Sequence, residues 1–235
     1  MIQDVRVAQN LRLIAERGIK RASELYGLTF DNKLDSLLGT GLKSKTLTYL
    51  YGKRVVGVVN LFALNSIRQF GGRAFFVDAG NAADPYLIRR ESDLRRKDST
   101  ATSKLLKSIG LVRVFTCHQL TNFITDQLPA MLSEKSRTDE PIKFVGVSGL
   151  DQVFSEEDSP KTEIENLQRL IARKLHEIVV DKTNGVMFVV ATSQNECLSM
   201  LDQSDVAISV YQDARSRDHA ALIRHPSMRG KDVEF

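Results

Sequence analysis

The sequence predicts an α/β protein: a mostly parallel, twisted β-sheet flanked by helices, closed by a C-terminal antiparallel β-meander and preceded by an N-terminal helix. Three observations carry this prediction. From about residue 46 to 191, short runs of branched and aromatic residues alternate with longer segments of helical apolar spacing. That is the pattern of strand–helix–strand units, whose right-handed crossovers build parallel sheets. The strand runs are apolar nearly throughout rather than alternating, as strands buried on both faces are. After residue 205 the pattern changes to three short strands joined by polar turns.

Taken in order, Val5 to about Leu25 carries Val7, Leu11, Leu13, Ile14, Ile19 and Ala22 at near-helical spacing, with Arg and Lys interleaved. This predicts an amphipathic helix ahead of the core, so residues 1–27 form a helical preface and 28–235 the main domain. TLTYLY (46–51) is a strand, and VVNLFALNSIRQF (58–70) a helix stopped by Gly71 and Gly72. RAFFVD (73–78) is a strand, followed by a polar helix broken by the charged stretch IRRESDLRRKDSTATSK. LVRVF (111–115) is a strand and HQLTNFITDQLPAML a helix. IKFVGVS (142–148) is a strand leading to an acidic loop. Ser159 and Pro160 then open a helix as N-cap and first helical residue, with Ile164, Leu167, Leu170, Ile171, Leu175 and Ile178 on its apolar face. GVMFVVA (185–191) is a strand, and DVAISVYQD, HAALIRHP and KDVEF are the three strands of the meander.

The chain has 235 residues, of which 42% are hydrophobic and 26% charged, enough for a large core without staples. Cys117 and Cys197 make no metal-ligand spacing, and this fits a reducing cytoplasm with both thiols idle. The apolar runs fall far short of a membrane span, and the first residues lack the pattern of a signal peptide. The net charge of +4 tolerates an acidic partner such as nucleic acid without demanding one. His118, His176, His219 and His225 form no metal cluster. His176 reads as a structural histidine, and Cys117 and His118, as strand neighbours, point to opposite faces.

Beyond these patterns, LTFDNKLDSLLGTGLKSKTLTYLYG (28–52) resembles the entry to the core of the archaeal RadA/RecA recombinase family. FFVDAGN resembles that family's second strand, IKFVGVSGL its fourth, and VVATSQ the strand ending in a sensor glutamine. YQDARSRDHAALIRHPSMRGKDVEF resembles its closing meander, so the similarity runs in order over roughly 200 residues. The resemblance implies a RecA-like core from a paralogue of that family.

The departures from the family pattern point to an inert site. A phosphate loop needs glycines, a lysine for the β- and γ-phosphates and a hydroxyl for Mg²⁺. The segment here reads Gly52-Lys53-Arg54-Val55-Val56-Gly57-Val58-Val59, with Val58 in the lysine position and Val59 in the hydroxyl position. Asp78 ends the second strand, but Gly80 stands where the resemblance implies a catalytic carboxylate. Ser148 stands where it implies the aspartate that holds Mg²⁺ through water, and Asp151 lies three residues on. Of the family's polar site residues only Gln194 remains. No catalytic residue, metal ligand or cofactor is therefore expected, ATP and Mg²⁺ included, because phosphoryl transfer depends on these groups.

Two basic regions carry the nucleic-acid alternatives. Lys53 and Arg54 offer an anion site at the helix start, or two solvated charges at a strand end, the reading favoured here. Arg89, Arg90, Arg95, Arg96 and Lys97 offer a DNA-backbone contact, or an exposed charged face, which is favoured by a smaller margin. Arg215, Arg217, Arg224, Arg229 and Lys231 add charge in the meander. The segments LDQVFSEEDSP and SQNECLSMLDQS, where the resemblance implies DNA-gripping loops, are acidic and hold no Lys or Arg. The function expected is that of a non-catalytic accessory or mediator protein in homologous recombination and DNA repair. Its partner would be an active RadA/RecA-type recombinase or another paralogue, with no membrane and no small-molecule substrate, in a cytoplasmic, nucleoid-associated setting. The alternative is a stand-alone DNA-binding protein using the basic segments 89–97 and 215–231.

Overall fold

The computed structural model describes residues 37–38, 41–81, 99–133, 140–155, 159–182, 185–193, 197–226 and 232–234. Eight strands form one sheet: β1 (Leu47–Gly52), β2 (Arg73–Ala79), β3 (Ile109–Val114), β4 (Ile142–Ser148), β5 (Met187–Thr192), β6 (Val206–Gln212), β7 (Asp218–Arg224) and β8 (Asp232–Glu234). Their order is β3-β2-β4-β5-β1-β6-β7-β8. The pairs from β3 through to β6 are parallel. The β6–β7 and β7–β8 pairs are antiparallel, the meander expected from the tail.

Seven described helices connect these strands: α1 (Val55–Phe70), α2 (Ser99–Lys107), α3 (Cys117–Asn122), α4 (Leu128–Ser133), α5 (Leu150–Ser155), α6 (Lys161–Glu177) and α7 (Leu198–Gln203). A π-helical turn, Phe123–Gln127, joins α3 to α4, and another, Ile178–Lys182, extends α6. The sheet has a core on each face because successive strand residues point to opposite sides. Phe75, Val77, Val145, Val147, Phe188 and Val190 face the side covered by α3 to α7. Phe76, Phe144, Met187, Val189 and Ala191 face α1. On the α1 side the sheet also buries Leu37, Leu38 and Leu42.

Four local expectations are corrected. Helix α1 starts at Val55, three residues before Val58, because Val55 is already fully buried and its packing outweighs the reluctance of branched side chains to join a helix. Pro160 is itself the N-cap of α6, and Ser159 makes no capping bond. The segments after β4 and β5, expected as loops, each contain a short helix, α5 and α7. Cys117 and His118 lie in the first turn of α3 rather than on a strand, the thiol buried and the imidazole exposed. The amphipathic helix expected within residues 1–27 lies outside the described residues, as do Arg89, Arg90, Arg95, Arg96, Lys97, Gln194, Arg229 and Lys231.

Candidate functional site

The turn between β1 and α1 sits at the carboxyl ends of the parallel strands, where ligands of open α/β sheets gather. Gly52 has a φ of 112°, and a Cβ there would lie 2.0 Å from the carbonyl oxygen of Val210 on β6. Lys53 continues this contact by donating its N–H to the same oxygen at 3.0 Å. The glycine is thus required by the close approach of β1 to β6, whatever else the turn does. Arg54 adopts a left-handed conformation and caps α1 without a side-chain bond. Its guanidinium is paired with Asp218 on β7 at 2.8 Å, and Asp218 also accepts from Gln212. A Cβ added at Gly57 would meet nothing within 4 Å, so that position has open space.

Val58 and Val59 point into the core instead, being 5% and 1% exposed. A Cβ built on Gly146 of β4 would fall 2.8 Å from Cγ1 of Val59. Helix α1 therefore lies directly on β4 at this point, with the Val59 methyl seated on the glycine.

The ends of β2 and β4, beyond β5, are packed as closely. Gly80 has a φ of 106°, and a Cβ there would come 2.3 Å from Oε1 of Gln152 on α5. Gly149, with a φ of 79°, presses against the carbonyl oxygen of Ala79 in the same way. Asp78 is fully buried, with the Arg113 guanidinium 3.3 Å from its carboxylate across the β2–β3 pair. Ser148 is buried at the end of β4. Asp151 turns toward β5, where its Oδ2 accepts from the backbone N–H of Ser193 at 3.0 Å and the Ser193 hydroxyl at 3.3 Å. Among the described residues the structure thus places Gly52, Lys53, Arg54, Asp78, Gly80 and Ser148 along the carboxyl ends of β1, β2 and β4, with β5 between β1 and β4, while Val58 and Val59 are buried in the core on the α1 face.

Gln152 and Asp218 were missed by sequence reasoning. Gln152 stood only within an acidic segment and Asp218 only within the meander run, neither with a role, and only the packing of α5 on β2 and the return of the meander bring them near. Past the ends of β4 and β5, helices α5, α6 and α7 line a cleft of about 560 Å³. Its walls include Asp151, Lys161, Arg169, Cys197 and Asp202. Glu165 lies 3.6 Å from the Arg169 guanidinium. Burial raises the Cys197 thiol above its ordinary range, so it is a poor nucleophile at neutral pH. The Cys197 N–H donates to the Tyr49 hydroxyl at 2.7 Å, and that hydroxyl is 2.6 Å from Thr192 Oγ1.

Two of the meander cations, Arg217 and Arg224, are engaged within the fold. Arg217 directs Nη2 and Nε at one oxygen of Asp213, Oδ2, at 2.6 and 2.8 Å, and the backbone N–H groups of Arg215 and Arg217 donate to the other, Oδ1. These donors, led by the Arg217 N–H, lower the Asp213 carboxyl to about 2. Arg224 donates to the carbonyls of Leu201 and Asp202, closing the end of α7. His219 stacks on Tyr211 with centroids 5.3 Å apart, and His176 lies half-exposed 3.8 Å from Asp205.

No family model matches the chain. It is 24% identical over 188 residues to the DNA repair and recombination protein RadA of Methanocorpusculum labreanum, covering 72% of this chain and 56% of that protein. The similarity points to a RecA/RadA-like relationship. The chain spans a little over half the length of this curated relative. No described helix is long and apolar enough to cross a membrane.

Proposed function

We propose that the chain is a non-catalytic RecA/RadA-like protein of recombination and repair, acting as an accessory or mediator subunit through contact with an active recombinase. The observation that carries this reading is the seating of Val59 on Gly146. A position that would present a hydroxyl to a metal holds a methyl group inside the core. The neighbouring positions support the same reading. Val58 offers no ammonium, Gly80 has Gln152 against it where a carboxylate would project, and the Asp151 carboxylate is directed at Ser193. These residues do not fit a magnesium nucleotide, whose charge must be met by cations and whose metal needs oxygen ligands.

What remains is the fold with its exposed surfaces, and a relative named for DNA repair and recombination. Two measurements test the reading. Adding millimolar Mg·ATP to the purified chain is expected to leave its Tm unchanged. Mixing it with the active recombinase of the same cell is expected to yield a complex that survives nuclease and moderate salt, as a largely apolar contact does. A rise of Tm with Mg·ATP, or a complex that disappears with nuclease, contradicts the proposal.

A further inference from the structure

The opposite end of the sheet, away from the nucleotide-type turn, carries a row of positive charge. Strands β3, β2 and β4 are adjacent, and Arg73 pairs in register with Ile142 while Ala74 pairs with Phe144. Lys143 is thus the extra residue of a bulge, a device that re-aims a side chain at a strand end. Its stem crosses Gly72, where a Cβ would be 3.0 Å from Lys143 Cγ. The Arg73 guanidinium crosses Gly110 of β3 in the same manner, 3.6 Å from where a Cβ would stand. Lys104 and Lys107 occupy the last turn of α2, which is tied to this end because the Ala74 N–H donates to the Ser108 carbonyl at 3.0 Å. With strands about 4.8 Å apart, the starts of β3, β2 and β4 span about 10 Å.

Placement rather than pairing sets these four cations apart, since Lys43, Lys45, Lys53, Lys161 and Arg215 also meet no carboxylate among the described residues but do not stand at the adjacent starts of β2, β3 and β4. Arg54, Arg169, Arg173, Lys174 and Arg217 each lie against a carboxylate, and Arg224 against helix carbonyls. Among the described residues Arg73, Lys104, Lys107 and Lys143 meet no carboxylate, and Glu140 is the acid nearest to them in sequence. Lys104 and Lys107 complement the C-terminal dipole of α2, which accounts for their place on that helix. It does not account for Arg73 and Lys143, which stand at strand starts with glycines beneath them.

We propose that Arg73, Lys104, Lys107 and Lys143 form a contact surface for the phosphate backbone of nucleic acid. The row suits a line of phosphates. An acidic protein would need an apolar centre among the charges, and no exposed large apolar residue of the described chain stands at the first position of β2, β3 or β4. The surface is distinct from the meander arginines and does not depend on the state of the nucleotide-type turn.

The test is fluorescence anisotropy of the full chain with a labelled duplex and a labelled single strand of random sequence. Four phosphate contacts imply a salt slope of about −3.6 on duplex, so affinity should fall on the order of a hundredfold from about 50 to 200 mM salt. Replacing all four residues by Gln is expected to weaken binding at least about tenfold at low salt and flatten the slope. Lys104→Gln with Lys107→Gln, confined to an exposed helix turn, should retain the wild-type melting curve and remove about half of the slope. Arg215→Gln with Arg217→Gln should leave binding unchanged. No binding by the wild type, binding that is indifferent to the Gln variants, or capture of an acidic protein in place of nucleic acid would each overturn the assignment. None of these outcomes bears on the mediator reading, which the recombinase mixing experiment tests separately.

Discussion

Restoring a phosphate-loop sequence at the α1 start, by Val58→Lys together with Val59→Thr, should destabilise the fold. The threonine is nearly isosteric with valine, yet its hydroxyl would be placed in the contact between Val59 and Gly146, where Cγ1 sits 2.8 Å from a built Cβ. A buried hydroxyl without a partner costs about 1–3 kcal/mol. At position 58, 5% exposed, the lysine forfeits the burial of a valine, about 1.5–3 kcal/mol, and its stem must reach for solvent. The two changes total about 2.5–6 kcal/mol, and at about 2–4 °C per kcal/mol for a chain of this size the melting temperature should drop by roughly 5–24 °C. Differential scanning calorimetry without nucleotide measures it. A double variant that melts with the wild type, and that rises in Tm with Mg·ATP, would refute the reasoning. It would show that positions 58 and 59 border an open, wet site.

Other strand-end contacts make further predictions. Gly80→Ala combines a φ of 106° with a Cβ 2.3 Å from Gln152 Oε1, and should lower stability by about 1–3 kcal/mol in urea unfolding. The second change Gln152→Ala should relieve part of that loss. Asp151→Ala removes the acceptor of the Ser193 N–H and hydroxyl, and should cost about 1.5–3 kcal/mol in the same assay. Asp213 has its carboxyl lowered in the fold, so its contribution is present above the unfolded value and lost as pH falls through about 2. Asp213→Asn should therefore flatten the acid limb of the stability profile between about pH 4 and 2, measured by circular dichroism.

The strands were legible because their apolar runs, FFVDA and FVGVS among them, are too short and too branched for helices and are bounded by glycine or polar residues. The meander was legible for a related reason, its three alternating runs being separated by turn residues. Helix α5 was not read, although Leu150, Val153 and Phe154 stand at helical spacing, because six residues carry too little periodic signal. The start of α1 was misplaced for the opposite reason. Its valines argue locally against a helix, and only their burial against β4 and its neighbours reverses that preference. At the candidate site the identities of residues 52–59, 80 and 148 were visible in sequence, but what replaces the missing groups was not. The contact of Gln152 with Gly80 and the reach of Asp151 to Ser193 depend on where a short helix comes to rest, which no local pattern encodes.

The place of β1 has a consequence for how the chain is made. Although first among the described strands, it lies inside the sheet between β5 and β6, and its Tyr49 meets a Thr192 that is 143 residues away. Such distant pairings are slow to close and come late. On the ribosome, β2, β3 and β4 can associate while β1 still has neither neighbour, its Leu47, Tyr49 and Leu50 exposed to solvent or to a chaperone. Emergence of β5 and β6 then becomes the committing event of folding. A nascent chain arrested between α6 and β5 would carry an unpaired apolar strand with two open edges, the form most prone to aggregation and to degradation.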